Sequence, residues 1–295
     1  MGLSLEGISF SRVSPTDDEV RLQTEIIAGC ETDLNGRLLY PDGQPRYRLL
    51  FVNGGSSRTH GKSLSKEGLD RICEFVENGG AYVGACAGAF LASNGYDRHY
   101  DYPYYLSVWP GMMLHSGLTG VHTGMFIEND SPLLAYYDFG RDHYVDSIRH
   151  NLGGYPIDLP DGTEVLARYD YPDKSDVHLQ PSIWSYKSRE QSGRIVQGGS
   201  HPEENSSGER RDLMAAMMQY AMDGRGPVVL KGFLKNGEQR DMVKRTEDKD
   251  PDYTVIGDLQ THHFAVYIPS GANNVVFETK SDFDCDLALM LCLNL

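Results

Sequence analysis

Residues 79–91 constrain the fold of this chain more than any other stretch. Apolar residues at 81–83 predict a short buried strand, and the small residues that follow Cys86 predict the start of a helix. A cysteine between a strand and a helix, flanked by glycine and alanine, is typical of a nucleophile elbow, whose turn leaves no room for bulky side chains. A thiol at the start of a helix also lies near partial positive charge, which favours the thiolate. The alternative is an inert, buried cysteine in a glycine-rich helix start.

A second stretch, far along the chain, supplies partners for a reactive thiol. The strand predicted at 195–198 ends at Ser200-His201-Pro202-Glu203. A thiol nucleophile needs a base, and the base needs a group that orients it. Side chains two apart in an extended segment project the same way, so Glu203 can bind one nitrogen of His201 while the other nitrogen faces Cys86. Pro202 restricts the backbone between them.

A third loop, Gly54-Gly55, follows the apolar strand predicted at 47–52. Glycines directly after a strand let backbone N–H groups point into a site. The amides of Gly55 and Ala87 are therefore candidates for an oxyanion hole. Strands alternate with helices here, which predicts a mostly parallel sheet with helices on both faces, of the α/β class. Because sites in such sheets lie at the carboxyl ends of the strands, we expect these loops to meet.

Composition excludes some functions. The chain has 27 basic and 42 acidic residues, a net charge of −15, which disfavours nucleic acid or an anionic membrane as a partner. Its five cysteines have no CxxC spacing, so neither a disulfide framework nor a metal site is predicted, and no cofactor is implied. There is no apolar run long enough to cross a bilayer and no signal-peptide pattern, which predicts a soluble chain. Composition determines neither compartment nor oligomeric state.

An aromatic segment and several histidines lie between the Cys86 loop and the His201 loop. Six tyrosine and tryptophan residues fall within 96–109. They predict either an aromatic wall beside the thiol, suited to a peptide or sugar-like ligand, or a covering loop whose rings fill a groove. His115 and His122 lack metal-ligand spacing and are expected to be ordinary polar residues. His143 and His150, in a polar segment, are expected to be exposed.

A change in composition after Pro227 divides the chain into domains. Residues 1–226 are predicted to form the α/β domain, and residues 227–295 a small antiparallel β domain. A charged stretch at 235–252 joins its predicted strands to the α/β domain. A unit of this size is marginally stable alone. Its predicted strands, marked by apolar or alternating segments, are at 259–269, 274–279 and 287–293.

The three loops together resemble the signature loops of class I glutamine amidotransferase-like domains. They are Phe51-Val52-Asn53-Gly54-Gly55, Gly84-Ala85-Cys86-Ala87-Gly88 and Gly199-Ser200-His201-Pro202-Glu203. With residues 151–154 and 164–167, the chain is similar, over about residues 45 to 225, to the branch typified by the N-terminal domain of biotin–protein ligases. The resemblance implies a flavodoxin-like sheet and a Cys86-His201-Glu203 triad.

One position departs from the family pattern. Glutamine-hydrolysing members usually carry Gln two residues after the second glycine of GxCxG, where it helps to hold the substrate, and this chain has Phe90 there. Glutamine is therefore disfavoured as the substrate. Residues 263–272 and 284–287 faintly resemble the bacterial pre-peptidase C-terminal domain, which occurs on secreted hydrolases and implies an extracytoplasmic location.

The sequence thus predicts a cysteine hydrolase that cleaves an amide bond of a small molecule or peptide. Cys86, His201 and Glu203 are the expected catalytic residues. The expected oxyanion and substrate-binding residues are Gly54, Gly55, Ala87 and Phe90. The alternative is a catalytically quiet module that keeps the fold and holds a ligand.

Overall fold

A computed structural model describes residues 17–29, 36–40, 43–97, 99–100, 103–204, 207–224, 232–239, 243–244, 255–256 and 264–280. The helices are α1 (Asp17–Ala28), α2 (Ser57–Glu77), α3 (Ala87–Ala92) and α4 (Glu209–Asp223). The first eight strands are β1 (Leu49–Val52), β2 (Ala81–Ala85), β3 (Gly95–Tyr96), β4 (His99–Tyr100), β5 (Met112–His115), β6 (Thr119–Ile127), β7 (Tyr144–Asn151) and β8 (Gly154–Pro156). The others are β9 (Glu164–Asp170), β10 (Pro181–Tyr186), β11 (Ile195–Gly198), β12 (Gly232–Leu234), β13 (Val243–Lys244), β14 (Val255–Ile256) and β15 (Phe264–Val266).

The main sheet has seven strands in the order β1-β2-β11-β10-β9-β6-β7. The predicted α/β architecture with helices on both faces is confirmed. Only β1, β2 and β11 are parallel to one another; the other four strands are antiparallel. The expectation of a mostly parallel sheet therefore holds for one half alone. In the other half, β9, β10 and β11 follow one another through connections without helices, and such connections produce antiparallel pairs.

Alternating side chains place a hydrophobic core on each face of the sheet. Tyr82 and Trp184 point to one face, where they pack against the apolar sides of α1, α2 and α3. Val83 and Ile183 point to the other, against α4 and its Met217. The methionines of α4 are thus core residues. This two-sided burial explains why β2 is fully buried along its whole length.

Helix α2 is longer than predicted. The apolar spacing predicted a helix over 65–78, and α2 starts at Ser57, after Ser56, whose side chain accepts a hydrogen bond from the Thr59 amide. At Ser65 the backbone is non-helical (φ 54°), so α2 has a kink between a first part, residues 57–64, and the part that the sequence predicted. The early start places the first turn of α2 directly after the Gly54-Gly55 loop.

A smaller four-stranded sheet, in the order β4-β3-β5-β8, carries residues that flank the Cys86 loop. Gly95 and Tyr96 of β3 pair in parallel with Met112 and Met113 of β5. The other edge of β5 pairs with β8, His115 opposite Gly154. This sheet links part of the tyrosine-rich segment to the turn that follows β7.

Buried side chains of β2 and β11 hydrogen-bond to carbonyls of the short helix α3. The Tyr82 hydroxyl donates to the Gly88 carbonyl at 2.7 Å, and the Gln197 amide donates to the Ala89 carbonyl at 2.8 Å. The indole N–H of Trp184 donates to the other end of the Gln197 side chain at 3.0 Å. Since a helix of six residues has few hydrogen bonds of its own, these contacts fix its first turn.

After residue 226 the described strands differ from the predicted pairing. The β12–β15 and β13–β14 pairs are both parallel, whereas the sequence predicted an antiparallel unit. Parallel pairing needs a longer connection than a hairpin loop, and residues 235–263 provide one between β12 and β15. Residues 264–266 lie within the first predicted strand, and 274–279 are not in a strand. The strand predicted at 287–293 lies outside the described residues.

The described residues fall into two compact units. One contains residues 17–224 with β13 and β14, and the other contains 232–239 and 264–280. The second unit therefore includes the β12–β15 pair but not the two strands between them in sequence. The predicted domain boundary at 226 stays a prediction.

We expect Gln197→Met to destabilise the first unit strongly. The change leaves the buried Trp184 N–H without its acceptor and removes the side-chain donor to the Ala89 carbonyl, at a cost of about 1–3 kcal/mol for each group. Equilibrium urea unfolding should show a loss of about 3 kcal/mol in the free energy of unfolding. Gln219→Met, at an exposed position of α4, is the control and should change that free energy by less than about 0.5 kcal/mol. Similar losses in both variants would contradict the support role of Gln197.

Candidate active site

Cys86 lies in the tight turn between β2 and α3. Its backbone has φ 50° and ψ −107°, a conformation that non-glycine residues rarely adopt and that costs about 1–3 kcal/mol. The glycines on either side make the turn possible. A Cβ atom on Gly84 would lie 2.6 Å from the carbonyl carbon of Gly88, and one on Gly88 would lie 2.0 Å from the carbonyl oxygen of Val52. The small residues around Cys86 are therefore required by close backbone contact.

His201 and Glu203 form a hydrogen-bonded pair after the end of β11. Nδ1 of His201 lies 2.8 Å from Oε1 of Glu203, and both side chains are largely buried. Because a carboxylate only accepts, Nδ1 carries the proton. The backbone N–H of His201 donates to the Arg149 carbonyl at 2.9 Å. The other ring nitrogen, Nε2, is buried and has no well-aligned hydrogen-bond partner among the described residues.

The pKa of His201 reflects its surroundings. Burial of the ring lowers this pKa, but hydrogen bonding and charge from Cys86 and Glu203 raise it more, and the net pKa is about 10. Cys86 is thus near enough to act on the imidazole. The Glu203 carboxylate, hydrogen-bonded to Nδ1, favours the protonated ring.

Strand β7 contributes two backbone carbonyls, one of which contacts Cys86 and the other His201. The Cys86 side chain is only 5 % exposed, and its Sγ donates to the Asn151 carbonyl at 3.6 Å. Arg149, two residues earlier, accepts from the His201 amide. The Arg149 side chain also makes two hydrogen bonds to the Glu204 carboxylate, at 2.8 and 2.9 Å. The end of β7 therefore fixes both the thiol and the histidine loop, a role that the sequence did not indicate.

The Gly54-Gly55 loop reaches the same place from β1. A Cβ atom on Gly54 would lie 2.3 Å from Cε1 of His201, so this glycine packs directly against the imidazole. Gly55 has φ 142°. Within the described part of the chain, the amides of Gly55 and Ala87 donate no hydrogen bond. The loops after β1, β2 and β11 thus meet at one edge of the sheet.

Phe90 belongs to an aromatic cluster. Its ring is buried, and its centroid lies 4.6 Å from that of His115 and 6.2 Å from that of Tyr96. Tyr105 packs near Tyr96 and hydrogen-bonds the Ser57 hydroxyl at 2.7 Å. Part of the tyrosine-rich segment therefore fills space next to Phe90, and the aromatic wall for a ligand stays a prediction.

The expectation that His150 is exposed is wrong. The side chain is fully buried, its Nε2 lies 2.8 Å from the Thr123 hydroxyl, and its ring packs 4.9 Å from that of Tyr169. Burial lowers its pKa to about 3, so this histidine is neutral. The residue two before it, Ile148, is also buried, and this period-two pattern is the signal that could have indicated a half-buried strand.

The described ranges contain no group of three or more His, Cys, Asp or Glu side chains that could hold a metal ion. In the described segments, no helix combines the length and apolar character that crossing a bilayer requires. Cys73, a second described cysteine, is partly buried, and burial raises the pKa of its thiol to about 12.

Comparisons with known proteins agree with the family resemblance. Residues 41–102, which include β1, α2, β2 and Cys86, match the family described as biotin-protein ligase, N terminal. The resemblance drawn from the loops is confirmed, and this match covers two of the three loops. No curated protein sequence matches the chain significantly.

Solved structures with a similar fold include amidotransferases. A structure titled glutamine amidotransferase is 19 % identical, with 70 % of this chain and 94 % of that chain covered and a TM-score of 0.44. PurLQS from Thermotoga maritima is 17 % identical, with 70 % and 93 % covered and a TM-score of 0.41. A β-galactosidase from Rahnella sp. R3 is 15 % identical, with 59 % and 22 % covered and a TM-score of 0.35. None of these similarities bears on the activity of this chain.

We expect the His201 pKa to depend on Glu203 but not on Glu204. In a histidine NMR titration of the wild type, His201 should titrate near pH 10, because the neighbouring sulfur and carboxylate favour the imidazolium. Glu203→Gln should lower this pKa by at least about one unit, since it removes the carboxylate charge beside Nδ1. Glu204→Gln is the matched control, because Glu204 pairs with Arg149.

The same pKa predicts how stability depends on pH. A folded-state pKa raised above the unfolded value of about 6.5 stabilises the fold fully below that pH, and the contribution is lost as the pH rises towards 10. The Tm of the wild type should therefore fall between pH 7 and 10 by more than that of Glu203→Gln. Equal falls would contradict the assignment.

Proposed function

We propose that this chain is a cysteine hydrolase that cleaves an amide bond by way of a thioester. One observation carries the proposal: the loops after three adjacent parallel strands bring Cys86 and the His201–Glu203 pair to one edge of the sheet. The strained backbone of Cys86 also supports it, because strain of this kind concentrates at functional sites.

In the first half of the reaction, the Cys86 thiolate attacks the carbonyl carbon of the amide. A carbon–sulfur bond forms, and the negative charge moves to the carbonyl oxygen, where the amides of Gly55 and Ala87 stabilise it. The His201 imidazolium then gives its proton to the amine nitrogen as the carbon–nitrogen bond breaks. Glu203 keeps the imidazole in the tautomer and orientation that this transfer needs.

The second half regenerates the site. The neutral His201 takes a proton from a water molecule, whose oxygen attacks the thioester carbon. The carbon–sulfur bond breaks, the acid leaves, and Cys86 returns as a thiolate beside the imidazolium. The balance is one amide and one water consumed for one acid and one amine.

The candidate site also contains buried polar atoms with unmet hydrogen-bonding capacity. The Ser200 hydroxyl, Nε2 of His201 and Oε2 of Glu203 have no well-aligned hydrogen-bond partner among the described residues. Buried polar groups are nearly always paired in folded proteins, so each unpaired one needs an explanation. Groups poised for a substrate or a reacting water molecule provide that explanation.

A second candidate is a ligand-binding module without catalysis. Two observations favour it. Phe90 occupies the position that a substrate-binding glutamine has in the resembling enzymes. The Cys86 thiol also donates a hydrogen bond to a backbone carbonyl, which stabilises the neutral thiol. In this alternative the fold retains a ligand next to Cys86 and no acyl-enzyme forms.

Acylation by 4-nitrophenyl acetate distinguishes the two. In the wild type we expect a burst of nitrophenol equal to the enzyme concentration, with an acetyl group on Cys86 identified by peptide mass spectrometry. His201→Ala should slow this burst by about 100-fold or more, the usual effect of losing an acid–base group. Cys73→Ser is the control and should leave the burst unchanged, because the buried Cys73 thiol does not ionise at neutral pH. Equal burst rates in the wild type and His201→Ala would favour the quiet module.

A further inference from the structure

Leu152 has an unusual backbone and an unusual exposure. Its φ is 61°, and its side chain is 49 % exposed. This left-handed conformation is unfavourable for a bulky residue, whereas glycine or asparagine adopts it at lower cost. The turn is fixed from two sides: the Leu152 N–H donates to Leu118 at 2.7 Å, and the Leu152 carbonyl lies 3.0 Å from Nδ1 of His115. Because the backbone disfavours leucine here, we look to the exposed side chain for the role of this residue.

The position of Leu152 connects it to the candidate nucleophile. The residue before it, Asn151, supplies the carbonyl that the Cys86 sulfur contacts at 3.6 Å. The residue after it, Gly153, lies so close to the Gly199 carbonyl that a Cβ atom would approach the oxygen to 1.6 Å. The exposed leucine therefore stands on a rigid turn clamped between the Cys86 loop and the histidine loop.

His115 extends this exposed surface. Its ring packs on Phe90, tilted by 32°, while the residue as a whole is exposed. Phe90 is one helical turn beyond Cys86, and its N–H donates to the Cys86 carbonyl at 3.2 Å. Because the Leu152 carbonyl only accepts, Nδ1 of His115 holds a proton, which fixes the ring orientation. The ring is thus a flat surface anchored to the helix that carries the thiol.

We propose that Leu152 and His115 form a specificity surface that binds a flat, apolar group, such as an aromatic ring, attached close to the scissile amide. This inference rests on the proposed function and names its substrate class. An aromatic ring would bury the exposed apolar area of Leu152 and stack on the imidazole. A small polar side chain such as that of glutamine gains little binding energy from either residue. This agrees with the presence of Phe90, which packs on His115, at the position where glutamine-hydrolysing enzymes carry Gln.

Two alkylating probes test the preference. Iodoacetamide and N-benzyl iodoacetamide both form a carbon–sulfur bond with a thiolate and release iodide, and they differ only in the benzyl ring. We measure the rate of Cys86 alkylation by each probe and divide the benzyl rate by the other. Relative to the same ratio for glutathione, the wild-type ratio should be about tenfold higher or more, which is ordinary for an apolar contact.

Leu152→Asn and Leu179→Asn form a matched pair of variants. Leu179 also has a left-handed φ of 64° and is 50 % exposed, and it lies on the turn before β10, where Tyr169 accepts its N–H. Asparagine suits both backbones. Leu152→Asn should bring the ratio to within about twofold of glutathione, whereas Leu179→Asn should keep the wild-type ratio. His115→Asn should lower the ratio as well, and Leu152→Met should largely restore it.

Two results would overturn the specificity surface: a wild-type ratio equal to that of glutathione, or a Leu152→Asn ratio equal to that of the wild type. Failure of the proposed function has a different signature, since iodoacetamide would then alkylate Cys86 in the wild type and in His201→Ala at the same rate. The ratio reports recognition of the ring, and the iodoacetamide rate reports activation of the thiol.

Discussion

Close backbone contact between β1, β2 and α3 is the constraint on which the rest of the site depends. Gly84 and Gly88 touch across the turn, and Gly88 also touches the end of β1 at Val52. Only residues without a Cβ atom allow this approach. The approach sets the backbone of Cys86 and, through Gly54, the space left for the imidazole. A few glycines thus determine where the Cys86 thiol and His201, 115 positions further along the chain, can meet.

The electrostatics of the pair follow from this geometry. Burial alone would leave His201 neutral, as it does His150 a short distance away. The difference between the two histidines is in their partners: a hydroxyl for His150, and a carboxylate and a sulfur for His201. Two buried imidazoles on neighbouring segments therefore carry different charges at neutral pH, and only one of them is suited to proton transfer.

The sequence allowed the strands and turns around the candidate site to be predicted because their signals are local. The apolar run before Gly54, the glycines around Cys86 and the His201–Glu203 spacing each lie within a few residues, and β11 was predicted at its observed bounds. The loops were expected to meet because parallel strands share an edge.

What could not be predicted depends on contacts between distant segments. Strand β7 is polar at alternate positions, and nothing local indicates that Asn151 would contact Cys86 or that Arg149 would hold the histidine loop. The same is true of Gln197, whose partners Trp184 and Ala89 belong to two other elements. The expectation of a mostly parallel sheet came from the first half of the chain, where strands alternate with helices, and it did not hold for the half of the sheet whose strands follow one another without helices.

The place of β11 in the sheet has a consequence for synthesis on the ribosome. This strand is made late, yet it is inserted between β2 and β10 near the middle of the sheet. Until β11 leaves the ribosome, one edge of β2 is unpaired. An unpaired edge can pair with another chain, so we expect chaperones to bind the nascent chain at this stage. The Cys86 amide bonds to Gly198 at the end of β11, which means that the thiol acquires its final setting only when nearly all of the first unit has been translated.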